Sequence, residues 1–239
     1  MCHHEKVPLV NTGISVFYFS GSGHSLAVAR MIAERLSAPL QDICAANVPA
    51  LTETAVVVFP VYAQAVPKPV KDFLSQMHSS STALLATYGR MGFGNVLQEA
   101  AALCPGTVIA AGCVPTGHSY LPENLPVDPE RLQPFIDQVR NPRPVVIPRR
   151  RKTLLARIYP ELRGRLGIKI RRGSQCTNCG VCNGICPVKT MNYGSPGAAC
   201  LRCLRCVTGC PADALSFRCG LFMRLYLRRP KCTEYFFAL

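Results

Sequence analysis

Eight of the fourteen cysteines fall in two runs of one pattern, CxxCxxCxxxCP: Cys176, Cys179, Cys182, Cys186 with Pro187, then Cys200, Cys203, Cys206, Cys210 with Pro211. Thiolates at this spacing do metal chemistry. A cubane iron–sulfur cluster needs four thiolates around one body, and two tight CxxC turns deliver three of them from a single loop while the fourth arrives from elsewhere. In a doubled run of this kind the fourth cysteine of each run ligates the other cluster. Applied here, one 4Fe–4S cluster takes Cys176, Cys179, Cys182 and Cys210, and a second takes Cys200, Cys203, Cys206 and Cys186.

The two runs are offset by 24 residues throughout, and the same offset aligns Met191 with Leu215 and Tyr193 with Phe217. An internal duplication with one shared apolar core follows, the pattern of a bacterial two-cluster ferredoxin. A zinc site commonly uses two separated CxxC pairs and needs neither a third cysteine nor a trailing proline in each run. A disulfide framework is disfavoured in a chain whose first thirteen residues lack the apolar core of a secretory leader. The other six cysteines, Cys2, Cys44, Cys104, Cys113, Cys219 and Cys232, have no such spacing and read as buried or incidental thiols.

A 239-residue chain is longer than a small cluster domain requires, and the elements ahead of the cysteines imply a second domain. Residues 14–19 form a short aromatic and β-branched run, ended by Ser20, Gly21, Ser22, Gly23, His24 and Ser25. Leu26, Ala29, Ala33 and Leu36 then follow at helical spacing. Strand, small-residue loop and helix in that order place backbone amides at a helix N-terminus, a site suited to phosphate. The loop has no Walker lysine, and Leu26 stands where a dinucleotide fingerprint places its third glycine. Residues 55–59, 83–86 and 108–111 read as further buried strands, each with a loop and a helix after it, so the expected class is α/β with a parallel sheet. Ligands of such sheets lie beyond the carboxyl ends of the strands, where residues 60–66 and 88–95 also fall. Tyr62, Tyr88 and Phe93 in these loops are flat side chains suited to an isoalloxazine ring.

The stretches FYFSGSGHS, FPVYAQAVPKPVKDFL and ATYGRMGFGN resemble the flavodoxin-like domain of a bacterial and archaeal family that fuses it to a two-cluster ferredoxin. The resemblance spans nearly the whole chain. It implies a doubly wound, five-stranded parallel sheet in the order 2-1-3-4-5, plus a small α+β ferredoxin-like domain. It implies FMN, with the phosphate at Ser20, Gly21, Ser22, Gly23, His24 and Ser25. Ring contacts would come from Pro60, Val61, Tyr62 and Ala63 and from Thr87, Tyr88, Gly89, Gly92, Phe93, Gly94 and Asn95. His24 departs from the Asn usual in the family, and the absence of Trp removes the stack familiar from free flavodoxins.

The expected organisation is a flavodoxin-like domain over 1–141, a proline-rich then basic linker or helix over 142–172, a cluster domain over 173–218 and a basic, apolar tail over 219–239. Charge is divided unevenly: residues 1–141 hold 8 Lys plus Arg against 10 Asp plus Glu, and the remainder holds 19 against 3. The basic stretch 149–172 reads as a solvated connecting helix, a dock for an acidic redox partner, or a surface for nucleic acid or anionic membrane. Its charge should favour the reduced, more negative cluster states. Residues 221–229 read as a short basic and apolar helix able to cap the cluster domain. With no bilayer-length apolar run, a soluble, cytoplasmic setting is expected. The main functional expectation is an electron carrier of anaerobic metabolism working between two clusters and FMN, with redox proteins as partners, no nucleic acid and at most peripheral membrane contact. The alternatives are an FMN-dependent reductase of a small molecule and a ferredoxin on an empty flavodoxin-like scaffold. No catalytic residue is assigned; His24, His118 and Tyr120 are the candidates for acid–base chemistry.

Overall fold

The computed structural model describes residues 13–45, 51–123, 125–150, 166–229 and 231–239. Along the first part of the chain come β1 (Ile14–Tyr18), α1 (His24–Leu36), β2 (Leu40–Asp42), β3 (Leu51–Pro60), α2 (Lys68–Gln76), β4 (His78–Tyr88), α3 (Val96–Ala101), β5 (Thr107–Pro115) and α4 (Gln133–Arg140). The five strands pair in parallel in the order 2-1-3-4-5, the expected doubly wound α/β arrangement. Apolar runs form the central strands because helices cover both faces of the sheet. On one face Phe73 and Leu74 of α2 and Val96 and Leu97 of α3 pack against Phe17, Val57 and Leu84. On the other, Val28 and Ile32 of α1 and Phe135, Ile136 and Val139 of α4 pack against Val16, Val56 and Leu85. A 3-10 turn (Pro129–Leu132) leads into α4, where Pro134 in the first helical turn suits the start of a helix.

The cysteine-rich part contains β6 (Ile168–Arg172), α5 (Val181–Gly184), β7 (Met191–Asn192), β8 (Ser195–Pro196), α6 (Arg205–Thr208) and β9 (Leu215–Cys219). Strands β6 and β9 pair antiparallel, as do β7 and β8. The duplication extends to the backbone. Left-handed conformations occur at Asn178 and Arg202, at Gly180 and Leu204, and at Lys189 and Asp213, each pair 24 residues apart. Met191 and Leu215 share a small core with Cys186 and Cys206. The second aligned pair diverges: Tyr193 is 45% exposed, whereas Phe217 packs against Tyr120 of the first domain. Residues 168–172, for which a connecting helix is one expectation, are a strand, and residues 151–165 of that stretch lie outside the described residues.

The tail departs from expectation most. Helix α7 (Leu221–Leu227) buries Met223 and Leu227 against Ile168, and the chain then returns to the first domain. There β10 (Phe236–Ala238) pairs antiparallel with β5 as a sixth strand. Phe236 joins one core and Phe237 the other, covering what would otherwise be the sheet's free edge. Arg150, at the start of the basic stretch, pairs with Glu234 and lies over the rings of Phe93 and Phe236. Among the described residues no helix is long and apolar enough to cross a membrane.

Candidate functional site

The eight run cysteines surround two small cavities. Cys176, Cys179, Cys182 and Cys210 line one, and Cys186, Cys200, Cys203 and Cys206 line the other. Each cavity thus takes three thiols from one run and the fourth from the other. The donor set fits a cubane, whose four ligands surround a body and do not meet at a point. Among the described residues, no three His, Cys, Asp or Glu side chains converge closely enough to chelate a single ion. Backbone amides add polar support in matching places, with Thr190 N–H donating to Cys186 Sγ (3.4 Å) and Ala214 N–H to Cys210 Sγ (3.3 Å). Burial first, then neighbouring thiols, push Cys206 up to about 12, so grouped thiolates here call for a positively charged centre. Cys44, pushed up to about 11 by burial and then by Cys203, stands beside this inner cavity.

The cleft beyond the carboxyl ends of the strands has a volume of about 1420 Å³ including its open mouth. Ser20, Gly21, Ser22, His24, Ser25, Pro60, Val61, Tyr62, Ala63, Thr87, Tyr88, Gly89 and Gly92 all line it. The loop after β1 enters α1 through Gly23, whose φ of 94° suits glycine. Its hydroxyls already have protein partners, one within the loop and two beyond it: Ser20 Oγ accepts from Gly23 N–H (3.1 Å), Ser22 Oγ meets Ser119 Oγ after β5 (2.7 Å) and Ser25 Oγ meets Thr87 Oγ1 of β4 (2.7 Å). Phosphate recognition would therefore fall to the first amides of α1, which have no partner within the helix. Among the described residues no carboxylate lines the cleft, which suits an anionic ligand; the lining cations Lys68 and Lys71 pair with Asp72 and Glu99.

Three expected ring contacts are placed elsewhere. Phe93 turns into the core, stacked on Phe236 and edge-on to Tyr88. Asn95 precedes α3 and accepts the Arg150 N–H, and neither it nor Gly94 lines the cleft. The aromatic run in the loop is explained by β10, which gives Phe93 a partner. Sequence reasoning also missed the Ala63–Gln64 turn at the lip, where two successive non-glycine residues have φ of 52° and 63°. Such conformations gather at functional sites, but their sequence, Tyr-Ala-Gln-Ala, lacks the usual turn residues. Also unforeseen were Leu201 from the cysteine loop and Phe222, Met223 and Tyr226 from α7, which complete the wall.

The cleft and the inner cavity adjoin, and Leu201 lines both. The Cys203 carbonyl presses on Gly21, Tyr120 Oη donates to Arg202 O (2.8 Å), and Thr208 Oγ1 donates to Gly21 O (3.4 Å). Burial, then Cys203, push the phenols of both Tyr62 and Tyr120 up, so both stay protonated at neutral pH. No family model matches the chain, and neither does any curated protein. Among solved structures, a Bacteroides uniformis protein described as a "Putative flavoprotein" aligns with 44% of this chain and 92% of its own, at 14% identity and a TM-score of 0.37. At that score the likeness is loose, and the fold stands on the strand order itself.

An ion pair fastens the two halves. Asp42, at the end of β2, accepts the Cys44 N–H and pairs with Arg205 of α6, with side chains only 11% and 22% exposed. Burial lowers Arg205, although not enough to discharge it. Arg205→Met should leave a poorly solvated carboxylate and cost about 2–4 kcal/mol, read as a lower thermal midpoint and faster proteolysis between the domains. An unchanged midpoint would show that the pair does not hold the domains together.

Burial first, then Lys231, His24 and Arg90, lower His118 to about 4. Its Nδ1 accepts the Tyr120 N–H (3.2 Å), so the neutral ring carries its proton on Nε2. The unfolded chain protonates near the ordinary value of about 6.5, whereas the folded chain resists until about 4. The stability associated with neutral His118 is therefore complete above the first value and declines as pH falls toward the second. Allowing for partial exposure, the loss should be about 2 kcal/mol, and His118→Gln should remove it. Denaturant titrations at pH 7 and pH ~4.5 check this, since an equal decline in both proteins would absolve His118.

Proposed function

We propose that this protein is an electron carrier of the flavodoxin–ferredoxin fusion type. Cys176, Cys179, Cys182 and Cys210 would hold an outer 4Fe–4S cluster, Cys186, Cys200, Cys203 and Cys206 an inner one, and the cleft would hold FMN. The observation that carries the reading is the adjacency of the sites: the inner cavity shares Leu201 with the cleft, its cysteine loop packs on the loop after β1 at Gly21, and thiols of both cavities, Cys182 and Cys210 with Cys186 and Cys206, share one small core. Clusters supply one-electron chemistry and the flavin one- or two-electron chemistry. The chain's own contribution is to keep the sites at fixed spacing and to exclude water between them with Tyr62, Tyr120 and Leu201. Cys179, exposed while lining the outer cavity, brings that cavity to the surface and suits it to a redox protein partner, an acidic one given the basic second half.

A second reading, reduction of a small molecule, draws support from neutral His118 and the wide mouth at Met91, Phe222 and Tyr226. Anaerobic reconstitution followed by iron, sulfide and flavin analysis, with electron paramagnetic resonance during stepwise reduction, tests both cofactor assignments. The expected result is about eight iron per chain and about one FMN. Full iron without flavin would leave the first domain as scaffold, and zinc in place of iron would overturn the proposal. Turnover of a small acceptor without any protein partner would favour the reductase.

A further inference from the structure

Helix α7 carries more apolar surface than its packing uses. Met223 and Leu227 face inward, whereas Leu221, Phe222 and Leu225 are 75%, 60% and 55% exposed. Leu166 lies beside them, 73% exposed, because Gly220 N–H donates to Gly167 O (2.8 Å). Four of the eight large apolar side chains exposed among the described residues thus share one face. Arg218, Arg224, Arg228 and Arg229 flank them, all exposed. Between residues 162 and 233 Asp213 is the one acidic residue in the sequence, so the stretch carries a large excess of positive charge.

We infer that this face docks the protein on an anionic phospholipid bilayer, the apolar side chains entering the headgroup–acyl boundary and the arginines binding lipid phosphate. Insertable bulk rimmed by charge is what points to this occupant. Residues 221–229 hold Leu, Phe, Met and Tyr with three arginines and no acidic residue, and Leu221, Phe222 and Leu225 stand outward on the helix. Hydrocarbon with guanidinium is what an acyl boundary beneath a layer of phosphates accepts. Binding of an interfacial helix scales with the apolar area it buries and with its attraction to anionic lipid, and both contributions are present here: insertable apolar side chains and a basic cluster. Since Phe222, Met223 and Tyr226 also line the cleft, docking would bring the cleft mouth toward the headgroups. The membrane face would serve whether or not the cleft holds FMN, so either reading can fail without the other.

Co-sedimentation of the full-length, cofactor-loaded protein with vesicles tests it. Binding to phosphatidylcholine vesicles containing phosphatidylglycerol should exceed binding to phosphatidylcholine alone by about tenfold or more at ~0.15 M salt. Leu166→Gln/Leu221→Gln/Leu225→Gln keeps every charge and changes only exposed positions, yet should lose about tenfold in binding. Because the chain has no Trp, Leu221→Trp supplies a single emitter, whose emission should shift to the blue on phosphatidylglycerol vesicles and be quenched by brominated acyl chains. Absence of vesicle binding would overturn the inference, including the case in which an acidic protein occupies the face. Wild-type binding by the triple Gln variant would overturn it too, since net charge alone would then account for the attraction.

Discussion

Changing Cys186 to Ser is expected to remove the same cluster as changing Cys200, Cys203 or Cys206, although Cys186 belongs to the other sequence run. Changing Cys210 should remove the cluster of Cys176, Cys179 and Cys182. Each substitution should leave about four iron per chain and abolish one of two paramagnetic signals on reduction. The crossing follows from the cavities, each closed by the fourth thiol of the opposite run. It has a physical cause: three cysteines wrap their own cavity through left-handed residues such as Asn178 and Arg202, and after the short helix the chain has already turned toward the neighbouring site. The two losses should differ in reach. Loss of the inner cluster should loosen the loop at Gly21 and weaken FMN binding, whereas loss of the outer one should leave FMN in place. A Cys186 variant that lost the signal shared by Cys176 and Cys179 variants would refute the assignment.

Gly21→Ala should be the most damaging single-methyl change in the cleft. Its Cβ would collide with Cys203 O and stand 2.7 Å from Tyr62 Oη and 2.9 Å from Cys203 C, two of these three being backbone atoms that cannot rotate away. Either the phosphate loop or the cysteine loop must shift, at about 3 kcal/mol, which corresponds to roughly a hundredfold weaker FMN binding if the phosphate loop yields. Gly23→Ala is the contrast, since its Cβ meets nothing within 4 Å and its φ of +94° is the only obstacle. That backbone strain should cost about 1–2 kcal/mol without disturbing the inner cluster. Equilibrium titration of flavin into both variants, alongside iron content, distinguishes contact from strain. Equal behaviour of the two would show that the domains do not press on one another at Gly21.

The sequence by itself determined the features in which a few neighbouring residues settle the geometry. Cysteine spacing, doubled at a constant offset, defined two three-thiol groups, because a CxxC turn brings its thiols together whatever the rest of the chain does, while the fourth thiol of each cavity comes from the other run. Alternating apolar runs and helices, with a Ser-Gly loop after the first strand, implied the parallel sheet and its phosphate loop, because strand order and chirality leave that loop at the carboxyl edge. Tertiary structure decided what depends on distant partners. Phe93 leaves the cleft because β10, more than 140 residues later, gives it Phe236 to stack on. The seam at Gly21 arises because the cysteine loop docks on β1's loop, and no local pattern encodes that approach. Short β2 and β10 carry little periodic signal of their own, and pairing with β1 and β5 makes them strands. The same logic explains α7, whose sequence specifies a basic, apolar helix but not its orientation. Packing of Met223 and Leu227 on Ile168 turns Leu221 and Leu225 outward and sets Tyr226 in the cleft wall.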